Sequence, residues 1–385
     1  MQSVKFFPTG SHVRIRPNDA KPIDIHVKTY GEPKNPAILV VNGIGANMET
    51  VPEKSFYEKI AAEDLFVVAF SNRDAGGSTK MEHLHTRSMV STLALGALAG
   101  LLPPTTTLAL LLACVRYRHH PSARKIAVAA LALMFGFKAS GGTKAFHMTP
   151  AYTLDDVAED IVLLMKEMNI AQAHIMGVSM GGMLAQTAVV NYPERFLSLA
   201  SVMSDTGGIS ALGLPDYPLS TLFYLYVTHP MSRPDLSDHD GTIKYESETI
   251  EFNLTRAKSA TWNNGLTLME EAERRHDAHM LHDTMESRKN SMARQMDSIA
   301  WQRGDRSNKL NQINIPTVVV HGMDDKLIPV ESGMETAKAI GYPACRRVVL
   351  VPESGHTMDD GFVEHCVDAI VENCRHAEGR HRSKL

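Results

Sequence analysis

The strongest chemical signal in the chain is a serine with glycine two residues away on each side, in Gly177-Val178-Ser179-Met180-Gly181-Gly182. The apolar run AHIMGV (173–178) precedes it, and a helical run from Met180 to Asn191 follows. In that context G-x-S-x-G reads as a nucleophile elbow, a strained strand-to-helix turn that lifts the serine hydroxyl out of a sheet. The glycines answer a packing need, because the backbone before and after the serine comes close together and a β-carbon there would clash. The helix that starts behind the turn aims free N–H groups at developing negative charge. A phosphate-binding loop would need a G-K-[ST] ending, which is absent.

A serine hydroxyl is a weak nucleophile at neutral pH and needs a base, itself oriented by a third group. His356, in Pro352-Glu353-Ser354-Gly355-His356-Thr357, directly follows the expected strand RRVVLV and is read as that base. His321 also ends a strand-like run and is its rival. Three carboxylates compete for the third role: Asp324 and Asp325 after PTVVVHG, and Asp205 after FLSLASVMS. An oxyanion hole needs two backbone N–H donors. Met180 supplies one, and Ile44, within Asn42-Gly43-Ile44-Gly45, is expected to supply the other.

These residues need a scaffold, and the hydrophobic pattern describes one. Residues 12–31 alternate apolar and polar in two runs that suit an antiparallel hairpin at a sheet edge. AILVV (37–41) and LFVVAFS (65–71) are continuous apolar runs, as buried parallel strands are, and AHIMGV (173–178), FLSLASVMS (196–204), PTVVVHG (316–322) and RRVVLV (346–351) are read as further strands. Helices are expected at Thr153–Met168, opened by a Thr153/Asp156 capping box, at Met180–Asn191 and near Phe362–Asn373. The alternation predicts an α/β fold: a mostly parallel sheet with helices on both faces, ligands binding beyond the carboxyl ends of the strands. Two segments interrupt it. The reading is a core of 1–81, 149–207 and 311–385, an apolar insertion at 82–148 and a helical cap at 208–310.

The motifs Asn-Arg-Asp-x-Gly-x-Ser (72–78), YTLDDVAEDI (152–161), GVSMGGMLAQ (177–186) and YPERF (192–196) resemble the α/β-hydrolase superfamily over nearly the whole chain apart from the two insertions. The set looks most like bacterial esterases of the anthracycline (aclacinomycin) methylesterase type, and Arg294-Gln295 is similar to that group too. The resemblance implies the chain order serine, acid, histidine. It therefore favours Asp325, the fourth residue of a G-x-x-D turn, as the acid, and Asp324 as a cap of that turn. It leaves His321, which precedes the acid, a structural hydrogen bond. Two departures stand out. Asn42 replaces the histidine of the usual HG motif, which leaves the backbone donor intact. The stretch after Ser78 is longer than in similar proteins, which leaves the substrate open. The Asn72-Arg73-Asp74 turn reads as structural.

Apolar residues at 44% and charged residues at 21% are enough for a large core, and a net charge of −4 gives no field for nucleic acid. Cys114, Cys345, Cys366 and Cys374 form no CxxC pair and read as reduced packing residues. No cofactor or metal is expected. No residue from Ser88 to Val115 is charged, although Pro103-Pro104 interrupts the run, and a second apolar run, Ile126–Phe137, follows a basic turn. The stretch 88–137 reads either as a membrane hairpin or as a lid over an acyl pocket, and both point to an apolar substrate or a lipid surface. The terminal Ser383-Lys384-Leu385 matches the address read by the peroxisomal import receptor, so a peroxisome or glycosome is the expected location. The combined reading is a hydrolase of carboxylic esters or thioesters that works through an acyl-enzyme. A carbon–carbon bond hydrolase and a non-catalytic ligand-binding protein are the alternatives.

Overall fold

The computed structural model describes residues 3–16, 22–84, 150–207, 239–254, 260–301 and 306–382. The apolar stretch 88–137 and the terminal Ser383-Lys384-Leu385 lie outside these residues. Among the described residues, no helix is long and apolar enough to cross a membrane.

Among the described residues, eight strands form one sheet: β1 (Ser11–Ile15), β2 (Ile23–Tyr30), β3 (Ala37–Val41), β4 (Phe66–Phe70), β5 (Ala173–Val178), β6 (Phe196–Val202), β7 (Thr317–Gly322) and β8 (Cys345–Val351). Their spatial order is β1-β2-β4-β3-β5-β6-β7-β8. The β1–β2 hairpin joins β4 antiparallel at one edge, and every pairing from β4 to β8 is parallel. This is the mostly parallel α/β sheet that the sequence pattern predicts.

The central strands are apolar on both sides because both sides are covered. Leu39, Val41, Val68 and Ile175 face helices α1 (Leu154–Glu167) and α2 (Met180–Asn191). Ile38, Val40, Val67, Met176 and Val320 line the other face, covered by Phe56, Tyr57 and Ile60 and by α7 (Asp360–Arg382). The predicted capping box opens α1, with Asp156 N–H donating to Thr153 Oγ1 and the Asp156 carboxylate accepting from Thr153 N–H. The last helix runs past the Asn373 expected from sequence, because its buried stripe continues through Cys374 and Ala377.

Among the described residues, three helices stand between β6 and β7, α3 (His239–Asn253), α4 (Leu268–Met280) and α5 (Met285–Trp301), and α6 (Val330–Ile340) follows β7. Helices α3 and α4 close a small apolar cluster of their own around Ile243, Ile250, Trp262 and Ala272. This cap is fastened to the core by buried charge. Asp74, in the loop after β4, accepts from Arg294 of α5 at 2.6 and 2.7 Å, from Ser291 Oγ at 3.0 Å, from Met81 N–H at 3.0 Å and from Tyr152 OH at 3.1 Å. Asp74 and Arg294 are 0% and 1% exposed. The neighbouring Arg73 grips Asp160 of α1. The Asn72-Arg73-Asp74 turn is thus a structural hub between sheet, α1 and cap.

Candidate active site

Ser179 sits between β5 and α2 with φ 56° and ψ −123°, a backbone state that L residues hold only when their surroundings force it. Three hydrogen bonds do so here: Ser179 N–H to Val202 O at 2.8 Å, Ser204 Oγ to Ser179 O at 2.7 Å, and Gly182 N–H to Ser179 O at 2.9 Å. The glycines are obligatory. A Cβ on Gly177 would lie 2.0 Å from Gly181 O, and one on Gly181 would lie 2.1 Å from Val41 O. The loop after β3 lies against the nucleophile, since a Cβ on Gly43 would come within 3.3 Å of Ser179 Cβ. That places Ile44 and Met180 on two segments flanking Ser179. Gly45 N–H, next to Ile44, donates to Gln295 Oε1 of α5 at 2.8 Å.

The candidate base and acid are joined. His356 Nδ1 and Asp325 Oδ2 are 2.7 Å apart. Asp325 follows β7 and His356 follows β8, at the same carboxyl edge of the sheet as Ser179. The other carboxylate oxygen of Asp325 accepts from Leu327 N–H and Ile328 N–H, each at 2.8 Å. His321 bonds Ile328 O at 2.8 Å through Nε2, which lies 3.5 Å from Asp325. It braces the turn from below. Asp324 is exposed, its backbone N–H bonded to Ser354 O. Asp205 is buried against Arg306 at 2.9 Å, and Arg306 also holds Gln186. Of the three candidate carboxylates, only Asp325 touches His356. No hydrogen bond joins Ser179 Oγ to His356 in this structure. In ligand-free sites such contacts are often long and tighten with substrate.

Burial alone would push the Asp325 carboxyl up. The positive field and hydrogen bonds of His356 and His321 outweigh it and bring the value down to about 2. In the unfolded chain the carboxyl returns to its ordinary value of 3.8. A depressed folded-state value means that this group stabilises the fold fully above about pH 4, and that the contribution fades as pH falls through about 2. Its size is on the order of 2 kcal/mol. Unfolding free energies of wild type and Asp325→Asn, measured from pH 6 to pH 2, should therefore converge at the acid end. A gap independent of pH would contradict this.

The cap's share in the site is what sequence reasoning missed. Arg294-Gln295 stands out there only as a resemblance. Nothing local connects Gln295 to Gly45, which lies 250 positions away.

Comparison with known proteins agrees with this geometry. A family model for the alpha/beta hydrolase fold matches residues 36–227. The 2-hydroxy-6-oxo-6-phenylhexa-2,4-dienoate hydrolase of Comamonas testosteroni is 26% identical over 181 residues, which is 46% of this chain and 55% of that protein. The chain spans about half the length of the curated relatives it matches first. Among solved structures, a meta-cleavage product hydrolase from Pseudomonas fluorescens has a TM-score of 0.56 at 14% identity, covering 92% of this chain and 95% of that one. A thermophilic esterase from Thermogutta terrifontis has a TM-score of 0.55 at 15% identity, covering 95% and 99%. The family match and these structures together show an alpha/beta hydrolase fold. These sequence relatives are meta-cleavage hydrolases, so the likeness to anthracycline methylesterases rests on the motifs alone.

Proposed function

We propose that the protein is a serine hydrolase that cleaves a carboxylic ester or thioester of an apolar substrate through an acyl-enzyme. The observation that carries this reading is the 2.7 Å His356–Asp325 contact at the sheet edge that presents Ser179 on a strained elbow. With its Nδ1 proton donated to Asp325, His356 keeps Nε2 as the basic nitrogen. Ser179 Oγ attacks the carbonyl carbon as His356 Nε2 takes its proton. The backbone N–H groups of Met180 and Ile44 hold the tetrahedral oxyanion. His356 then protonates the leaving oxygen or sulfur, and water repeats the cycle on the acyl-enzyme. No step in this sequence calls on a metal or cofactor. The uncharged stretch 88–115 in the sequence supports an apolar acyl group.

A second reading, hydrolysis of a carbon–carbon bond beside a ketone, draws support from the relatives' activity as 2-hydroxy-6-oxo-dienoate hydrolases. Fold likeness alone does not separate the two chemistries. A panel of p-nitrophenyl esters and acyl-CoAs of graded chain length, run beside 2-hydroxy-6-oxo-6-phenylhexa-2,4-dienoate, separates them. The ester reading expects higher kcat/KM on the acyl series, rising with chain length. Preference for the dienoate would replace it with the carbon–carbon reading. A chain that turns over none of them and resists fluorophosphonate labelling at Ser179 would be a binding protein.

A further inference from the structure

Cap and core meet again around three side chains that the proposed chemistry does not use. His26 lies on β2, Glu49 in the short 3-10 turn Met48–Thr50 after β3, and His282 just beyond α4. Glu49 Oε1 is 3.2 Å from His26 Nδ1 and 3.3 Å from His282 Nε2. One ligand atom from each residue lies within 4.8 Å of the other two. Neither close approach has hydrogen-bond geometry. His26 Nδ1, His282 Nε2 and Glu49 Oε2 are all buried without a hydrogen-bond partner. His26 as a whole is only 9% exposed. Buried polar atoms are normally paired, so three orphans around one point call for an occupant.

We propose that His26, Glu49 and His282 form a binding site for a divalent transition metal, zinc fitting best, that clasps the cap to the sheet edge. Two imidazoles and a carboxylate are a donor set for zinc and its neighbours rather than for calcium or magnesium. Ligands at the usual zinc distances in a tetrahedron stand about 3.3 Å apart, as both measured edges do. A small closing movement of His282 toward His26 would complete the third edge. The rings already meet edge to face, with centroids 4.8 Å apart.

Two of the ligands are held in advance. The backbone N–H of His26 donates to Ser78 Oγ at 2.8 Å, and its ring stacks on His12. The turn that carries Glu49 is closed by an Asn47/Thr50 capping box, and Glu49 O accepts from Arg274 of α4 at 2.6 Å. Gly77 keeps the space clear, since a Cβ there would lie 2.6 Å from His26 Nδ1. Glu49 and His282 each retain about a fifth of their side-chain exposure, which gives an ion a path in and leaves the fourth position to water. The ligands come from positions 26, 49 and 282, so no sequence spacing announces them.

The test is titration of chelator-treated full-length protein with Co²⁺ and then Zn²⁺, followed by visible absorption and calorimetry. One equivalent of Co²⁺ per chain should bind and be displaced by Zn²⁺, and zinc at about a hundredfold excess over Kd should raise Tm by roughly 3 °C. His26→Ala and Glu49→Gln should each weaken binding more than about a hundredfold, since even outer-shell partners of a metal site carry about 10–100-fold. His365→Ala, on an exposed face of α7, should bind as wild type does. If His26→Ala fails to fold, His282→Gln, on a partly exposed loop, carries the same expectation. The proposal falls if wild type binds no stoichiometric metal, or if the folded ligand variants bind as tightly as wild type.

Discussion

Replacing Ser179 by alanine should lower kcat on any ester the wild type cleaves by about 10⁴–10⁶-fold, with the fold intact. Without the hydroxyl there is no acyl-enzyme, and only the oxyanion donors and binding remain to hold the transition state. The substitution leaves the elbow's backbone bonds to Val202, Ser204 and Gly182 in place, because the Ser179 backbone makes all three. Tm should therefore move little, which separates loss of chemistry from loss of structure. Asp325→Asn should cost about 10⁴-fold, because an amide can hold His356 in the tautomer with the wrong nitrogen protonated. Residues that act as one unit do not add, so the double variant should be scarcely worse than Ser179→Ala alone. Burst-phase release of p-nitrophenol from wild type and its absence in Ser179→Ala would report the acyl-enzyme directly. Equal turnover by wild type and Ser179→Ala would remove the nucleophile from the mechanism.

Arg294→Met should destabilise the protein by about 3–5 kcal/mol, the cost of leaving one member of a buried ion pair without the other. The stranded group would be Asp74, left with three neutral donors in a dry setting: Ser291 Oγ, Tyr152 OH and Met81 N–H. Asp74→Asn should also destabilise, because it removes the charge that Arg294 meets at 2.6 and 2.7 Å. Asparagine tolerates the left-handed backbone found there, φ 68°, so the loss would report charge rather than backbone strain. The double variant should cost clearly less than the two singles summed, because neither charge is then stranded. The chain offers a convenient probe. Its two tryptophans, Trp262 and Trp301, both lie in the cap segment. Fluorescence thus follows the cap while circular dichroism follows sheet and helices together. If the pair fastens the cap, the single variants should show fluorescence transitions that run ahead of the dichroism. Single variants within about 1 kcal/mol of wild type would mean that the pair is not what fastens it.

The sheet was legible in sequence because its central strands are buried on both sides and need no alternation to be seen. AILVV, AHIMGV and PTVVVHG are apolar runs bounded by turn residues, and each became a strand of almost the expected extent. The elbow was legible for another reason. Gly177 answers a contact with Gly181 four residues on, so that packing requirement is written locally, whereas Gly181 answers Val41 of β3. The acid was less so. Asp205, Asp324 and Asp325 share the same kind of position after a strand, and only the side-chain direction at each strand end tells them apart. Buried charge was the least legible. Arg294 and Glu271 sit in charged, outwardly soluble stretches, yet they are 1% and 0% exposed. Glu271 pairs with Arg274 and Arg275 one turn on, but Asp74, the partner of Arg294, is 220 positions away, a distance no local pattern spans.

Arg294 and Gln295 are consecutive on α5. One holds the hub at Asp74, and the other holds Gly45 N–H beside the oxyanion donor. A movement that lifts this helix to admit a substrate or release a product would surrender both anchors in the same stroke. The open protein would then have a slack loop where the transition state needs a rigid one. On the proposed chemistry, admission and bond cleavage would then alternate, and water entering during the open phase would meet Ser179 before its stabilising cradle is assembled.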